Sequence, residues 1–288
     1  MTPRGPDFLI VGAPKCGTTS LYRSLRDHPR LYASTRKEPH FFCDVLPPHF
    51  RSMDADAYFA LFADAPESSL AFEASTNYVY SEAACRRIRD HSRDSRIIVI
   101  LRDPVARAYS EYWHFRRYGM EPLSFEECIA TDGEREVSRR YHERGLYSRH
   151  IERYLDTFGE GQVHVLLLDD LARDATATHA GICAFLGVDA RALNVDKPQG
   201  QAWAPRWRRA GAAYGGLVSD RTAFTRFVRG ATPRWARRPG RAVARALLTT
   251  TRVPPMAPET RARLRDGYAA EVSRLESVLR RDLTAWRT

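Results

Sequence analysis

The sequence predicts an α/β fold in which helices cover a central parallel sheet, and two observations carry that prediction. Three short apolar runs, Phe8–Val11, Ile97–Leu101 and Val163–Leu168, have strand character. Each is followed by a polar turn and then a helical pattern. Strands that alternate with helices bury both faces of a parallel sheet. The 288 residues suit one such unit with a long insertion or tail.

Taken in order, the first strand leads into Gly12-Ala-Pro-Lys-Cys-Gly-Thr-Thr-Ser20 and a helix with Leu21 and Leu25 on one face, stopped near His28-Pro29. After the second strand, Asp103-Pro104 supplies a cap and a first-turn proline. Val105, Ala108, Tyr109, Tyr112 and Trp113 then recur at i, i+3, i+4, i+7 and i+8, a buried stripe. Leu146, Tyr147, Ile151, Tyr154, Leu155 and Phe158 repeat that logic over 145–158. Leu264, Tyr268, Val272, Leu275, Leu279, Leu283 and Trp286 predict a long helix over 259–286 that docks back on the body. Prolines at 205, 233, 239, 254, 255 and 258 interrupt the stretch before it, where short helices and loops are expected. The chain reads as one domain in three parts: an α/β body over 1–196, a basic segment with Pro and Trp over 197–258, and the C-terminal helix over 259–288.

The formal charge is +10, which invites a nucleic-acid reading. The charge is local, however. Residues 201–265 hold 15 arginines and two acids, Asp220 and Glu259, a charge of +13, so the rest of the chain is close to neutral. Only Lys15, Lys37 and Lys197 are lysines. Five cysteines, never in a C-x-x-C pair, argue against a disulfide framework or a zinc site. Ile97–Leu101 is the longest aliphatic run, too short to cross a bilayer. Phe8–Val11 is too short for the apolar core of a signal peptide, so an intracellular, cytoplasmic protein is expected.

The loop after the first strand is suited to an anion. First-turn N–H groups of a helix have no intrahelical partners, and here Lys15, Thr18, Thr19 and Ser20 add a charge and three hydroxyls. The spacing Gly12-x4-Gly17 mimics the P-loop, but Thr18 stands where a nucleotidase has its lysine. Lys15 lies inside the loop instead, where it could sit against a shorter anhydride than a triphosphate. The plain alternative is a helix start with a chance lysine.

The sequence here resembles the sulfotransferases that use 3′-phosphoadenosine 5′-phosphosulfate (PAPS), including bacterial members and the related heparan-type domain. Pro14-Lys-Cys-Gly-Thr-Thr-Ser-Leu21 is similar to their 5′-phosphosulfate loop, and Ile97-Ile-Val-Ile-Leu-Arg-Asp-Pro104 with Ser110 to their 3′-phosphate element. Gly145-Leu-Tyr147, Leu168-Asp-Asp-Leu171 and the closing Leu275–Trp286 helix match as well, so the resemblance covers nearly the whole chain. It implies a P-loop-like three-layer α/β/α sandwich around a parallel sheet. It also implies a reaction that moves the sulfuryl group of PAPS to an acceptor hydroxyl and leaves adenosine 3′,5′-bisphosphate.

By the same resemblance, Lys15, Cys16, Gly17, Thr18, Thr19 and Ser20 hold the 5′-phosphosulfate, and Arg102 and Ser110 the 3′-phosphate. A strand-end arginine can give that phosphate a forked, charge-assisted contact. In-line sulfuryl transfer needs a base for the acceptor proton. Arg36-Lys-Glu-Pro-His-Phe-Phe42 offers two: Glu38 falls where the heparan-type branch has its catalytic glutamate, and His40 is the second choice because other branches use histidine. The chain departs from the pattern at Ala74, where that branch commonly has lysine, and Lys37 could substitute. Asp196-Lys-Pro-Gln-Gly200 loosely matches the loop that covers the nucleotide in relatives, which makes Lys197 and Gly200 candidate contacts.

The resemblance implies no metal and no nucleic-acid partner. A P-loop kinase or nucleoside triphosphatase is the leading rival, followed by a basic protein that binds nucleic acid or a membrane surface through 201–265. Carbohydrate, lipid and secondary-metabolite hydroxyls all remain open as acceptors. The basic segment would suit an anionic or membrane-associated one, with Trp203, Trp207 and Trp235 as apolar contacts. Oligomeric state is not readable from the sequence.

Overall fold

The computed structural model of the chain describes residues 4–46, 53–190, 204–205, 249–250 and 253–288. Five strands form one all-parallel sheet: β1 (Phe8–Gly12), β2 (Leu31–Ala33), β3 (Leu70–Ala74), β4 (Arg96–Leu101) and β5 (Val163–Leu167), in the order β2-β3-β1-β4-β5. Central β1 pairs Phe8 with Phe72 and Ile10 with Ala74 on one side, and Ile10 with Ile98 on the other. All five of its residues are buried, as expected of a strand covered on both faces.

Among the described residues the helices are α1 (Thr18–Arg26), α2 (Ala55–Phe59), α3 (Glu82–His91), α4 (Pro104–Arg117), α5 (Phe125–Ala130), α6 (Ser148–Phe158), α7 (Leu168–Arg173), α8 (Ala175–Leu186) and α9 (Pro258–Leu279). Side chains cap several of them. Asp103 accepts from the Val105 and Ala106 amides at the start of α4, Ser81 from the Ala84 amide of α3, and Ser124 with Glu127 forms a capping box on α5. At α1 the cap is Gly17, which has no side chain to offer.

The structure differs from the sequence reading at several boundaries. Leu168 opens α7 rather than closing β5, and α6 begins at Ser148 after a 3-10 turn over Glu143–Gly145. The last helix stops at Leu279, where Arg280 turns left-handed; Leu283 and Trp286 are still buried, but through a short 3-10 turn at Thr284–Trp286. β2 and β3 were not predicted at all.

Helix α9 and the turn that follows it are tied to the rest of the body by polar contacts. Glu271 accepts from the Ser148 amide and hydroxyl, Tyr268 donates to the His142 carbonyl at 2.8 Å, and the Trp286 indole donates to Asp169 at 2.9 Å. A Cβ on Gly145 would sit 2.4 Å from the Tyr268 hydroxyl, so that glycine is what lets the two segments meet. Ala204–Pro205 and Thr249–Thr250 pair as a short antiparallel ladder, β6 and β7.

Candidate active site

Three neighbouring strands end at one edge, and each delivers one part of the site. β1 runs into the phosphate loop, β3 into Ser75-Thr76-Asn77, and β4 into Arg102. Ligands of open α/β sheets bind beyond the carboxyl ends of the strands, where successive connections diverge. β1 meets that description, with β3 on one side and β4 on the other.

The phosphate loop is pinned at both ends. The Ala13 amide donates to the Ile100 carbonyl at 2.8 Å, and Arg102 Nη1 donates to the Lys15 carbonyl at 3.4 Å. Gly17 has φ +95°, and a Cβ there would also lie 2.8 Å from Leu168. Cys16 is buried, and burial pushes its thiol up to about 12, so it packs the loop as an uncharged side chain. Thr18 is buried, Ser20 half-buried and Thr19 exposed.

Lys15 is held among cations. Burial, then the Arg117 and Arg102 guanidiniums, pull its ammonium down to about 8, while Glu111 opposes them. The sequence reading missed Arg117, which lies at the far end of α4, 102 residues from Lys15 in the chain. On the buried face of α4, Arg107 and, from outside the helix, Arg144 converge on the Glu111 carboxylate, and Arg107 also donates to the Tyr141 carbonyl. All three side chains are buried. Ser110 is half-buried on α4, directly before Glu111.

The second half of the site lies between β2 and β3. The Glu38 amide donates to the Ala74 carbonyl at 2.9 Å, which lays the Arg36–Phe42 loop across the end of β3. The Glu38 carboxylate accepts from the Thr76 amide at 2.9 Å and from the Thr76 hydroxyl at 3.2 Å, and it pairs with Lys37. His40 Nε2 stands 3.4 Å from Glu38 Oε2. The two candidate bases are thus adjacent, but they differ in access: the Glu38 side chain is 25% exposed and that of His40 only 2%. Burial lowers the His40 imidazole, with Glu38 opposing, so the ring is neutral at pH 7.

Among the described residues, four non-glycine residues have positive φ: Lys15 (68°), Glu38 (59°), His40 (56°) and Arg280 (49°). Three of the four are candidate site residues. Backbone conformations of this kind persist where the surroundings over-determine them and cluster at functional sites. Lys197 and Gly200, like Trp203, Trp207 and Trp235, lie outside the described residues.

The Sulfotransferase domain family profile matches residues 5–199. The human bifunctional heparan sulfate N-deacetylase/N-sulfotransferase 3 is 32% identical over 198 residues, 64% of this chain and 22% of that protein. The mouse bifunctional heparan sulfate N-deacetylase/N-sulfotransferase 1 is 34% identical over 201 residues, with the same two shares. The chain therefore spans about a fifth of the length of these curated relatives. The crystal structure of a sulfotransferase from Alicyclobacillus acidocaldarius superposes with a TM-score of 0.73 at 31% identity, covering 99% of this chain and 100% of that one.

Proposed function

The chain belongs to the sulfotransferase domain family, and on that premise we propose that it transfers the sulfuryl group of PAPS to an acceptor hydroxyl or amine, releasing adenosine 3′,5′-bisphosphate. The observation that carries the proposal is the loop at the carboxyl end of β1. There an uncapped helix start meets a lysine depressed by burial and then by two arginines, one of which, Arg102, also holds the loop's backbone. A group of cations that hold down a lysine's protonation gains most from an anion.

In this reading Lys15, Cys16, Gly17 and the α1 residues Thr18, Thr19 and Ser20 hold the 5′-phosphosulfate, and Arg102 with Ser110 the 3′-phosphate. Lys197 and Gly200 are further candidate contacts to the nucleotide. The donor supplies an activated sulfuryl group on an anhydride. Glu38 takes the proton from the acceptor as its oxygen or nitrogen bonds to sulfur and the sulfur–oxygen bond to the 5′-phosphate breaks. Lys15 and the α1 amides stabilise the charge that develops on the departing oxygen. The greater exposure of Glu38, and the Thr76 and Lys37 contacts that fix its carboxylate, favour it over His40 as base. His40 then orients Glu38 across their 3.4 Å contact.

The five cysteines are all unpaired, which agrees with a cytoplasmic site of action. No described helix is long and apolar enough to cross a membrane. The acceptor is assigned no further than an anionic or membrane-associated molecule, on the charge of residues 201–265.

The test is turnover of sulfur-labelled PAPS with a panel of hydroxyl and amine acceptors that includes de-N-sulfated heparan chains. Wild-type protein should label at least one acceptor. Glu38→Gln should lower turnover about 100-fold or more while still binding adenosine 3′,5′-bisphosphate. Full activity in Glu38→Gln would remove Glu38 from the mechanism, and Mg²⁺-dependent ATP turnover without PAPS binding would overturn the whole reading.

A further inference from the structure

Glu73 is the penultimate residue of β3 and fully buried, and the mechanism above gives it no part. A carboxyl in that position needs hydrogen-bond partners. The Ser75 hydroxyl donates to its Oε2 at 2.8 Å, and the Tyr58 hydroxyl to its Oε1 at 3.4 Å. The Tyr78 hydroxyl bonds it as well.

Two of these hydroxyls pass the contact on to the loop that carries Glu38. The His40 amide donates to Ser75 Oγ at 3.0 Å, and the Phe42 amide donates to the Tyr78 hydroxyl at 3.3 Å. On the other side of Ser75, Thr76 grips the Glu38 carboxylate. One buried group therefore orients the hydroxyls that hold the far end of a loop bent left-handed at Glu38 and His40.

We propose that Glu73 is the positioning residue of the Arg36–Phe42 loop, fixing through Ser75 and Tyr78 the backbone that presents Glu38. Its catalytic consequence rests on the reading of Glu38 as the base; its structural content does not. Burial raises the Glu73 carboxyl to about 8, the Ser75 and Tyr78 bonds opposing and Glu38 adding to the rise. The other groups that face it are Tyr22 from α1, Lys37 from the loop, Tyr58 from α2, Tyr78 beyond β3 and Tyr154 from α6. Below pH 8 Glu73 is a neutral acid. Above it, a second carboxylate forms under Glu38, and repulsion loosens the loop.

The experiment compares wild type, Glu73→Gln and Glu73→Ala at pH 7 and pH 9. Amide-exchange protection of residues 36–43 is read in the free protein, alongside sulfate release from labelled PAPS to water. Wild type should lose protection in that segment by about tenfold at pH 9, and sulfate release should fall with it. Glu73→Gln, neutral at both pH values, should keep its protection and, with PAPS held saturating so that the Lys15 titration does not intervene, its sulfate release. Glu73→Ala should lose protection already at pH 7 while adenosine 3′,5′-bisphosphate affinity stays within about threefold of wild type. If Glu73→Ala fails to fold, Ser75→Ala cuts the same link and should expose the His40 amide. Equal protection at both pH values in wild type, or an unchanged segment in Glu73→Ala or Ser75→Ala, overturns the assignment. Absence of sulfate release in wild type at every pH counts against the sulfotransferase reading, and the exchange data still decide the role of Glu73.

Discussion

The depressed Lys15 ammonium makes donor binding a proton-linked event with a definite sign. In the free protein the charge on Lys15 is lost as pH rises through about 8. An anion in the loop counters the Arg117 and Arg102 repulsion and restores the proton. Binding therefore takes up a proton above pH 8 and is indifferent to Lys15 below it. The full displacement from 10.5 to about 8 corresponds to at most about 3.4 kcal/mol, and the part owed to burial is not recovered. Affinity for adenosine 3′,5′-bisphosphate should then be about tenfold weaker at pH 9 than at pH 7, since about one free molecule in ten still carries the charge. Phosphate groups do not confuse the window, because their second ionisation lies near pH 6. Titration calorimetry in buffers of different ionisation enthalpy should report about half a proton taken up at pH 8 and nearly one at pH 9. Lys15→Met should bind more weakly at pH 7 and show no such slope. The same slope in Lys15→Met would assign the linkage to another group and refute the argument.

Two further outcomes follow from contacts already described. Arg102→Ala should lower the preference for adenosine 3′,5′-bisphosphate over adenosine 5′-monophosphate about 10–100-fold, the worth of a charge-assisted contact, as read by competition binding; an unchanged ratio would move the 3′-phosphate elsewhere. Gly12→Ala places a Cβ 2.6 Å from Val79 and should cost about 1–3 kcal/mol in urea unfolding. Because Val79 Cβ also lies at 2.7 Å, only loss of the whole side chain relieves the contact: measured against Val79→Gly alone, Gly12→Ala added to Val79→Gly should cost much less than in wild type, and an undiminished cost would show that the neighbouring Thr76 carbonyl, at 3.2 Å, sets the limit.

The parts of the fold that were legible are those the chain writes as continuous apolar runs. β1 and β4, buried along nearly their whole length, and β5 were readable for that reason. β2 has three residues at a sheet edge, and β3 is Leu-Ala-Phe-Glu-Ala, whose small residues and penultimate acid conceal a buried strand. The same glutamate was the available signal for the network under Glu38, since an acid inside a buried strand requires partners.

In the candidate site, the loop after β1 follows from local spacing, because Gly12 to Ser20 is one strand end, one loop and one helix start. The grip of Thr76 on Glu38 is not local: 38 positions separate them, and parallel pairing of β2 with β3 brings them together. Arg117 reaches Lys15 only because α4 packs beside the loop, and nothing in its neighbours marks it. The helix end at Leu279 was missed for a different reason: arginine, rather than glycine or asparagine, occupies the left-handed position at Arg280.

The left-handed residues have a consequence for how this protein would respond to directed evolution. Lys15, Glu38 and His40 each occupy a backbone state that costs a side-chain-bearing residue about 1 kcal/mol or more and costs glycine almost nothing. A library screened for heat resistance alone would be drawn to asparagine or glycine at those three positions and would score the winners as improvements. On the roles proposed for Lys15 and Glu38, selection for thermal endurance and selection for chemistry would thus pull the same codons in opposite directions, and a scaffold stabilised this way would be a catalytically silent one.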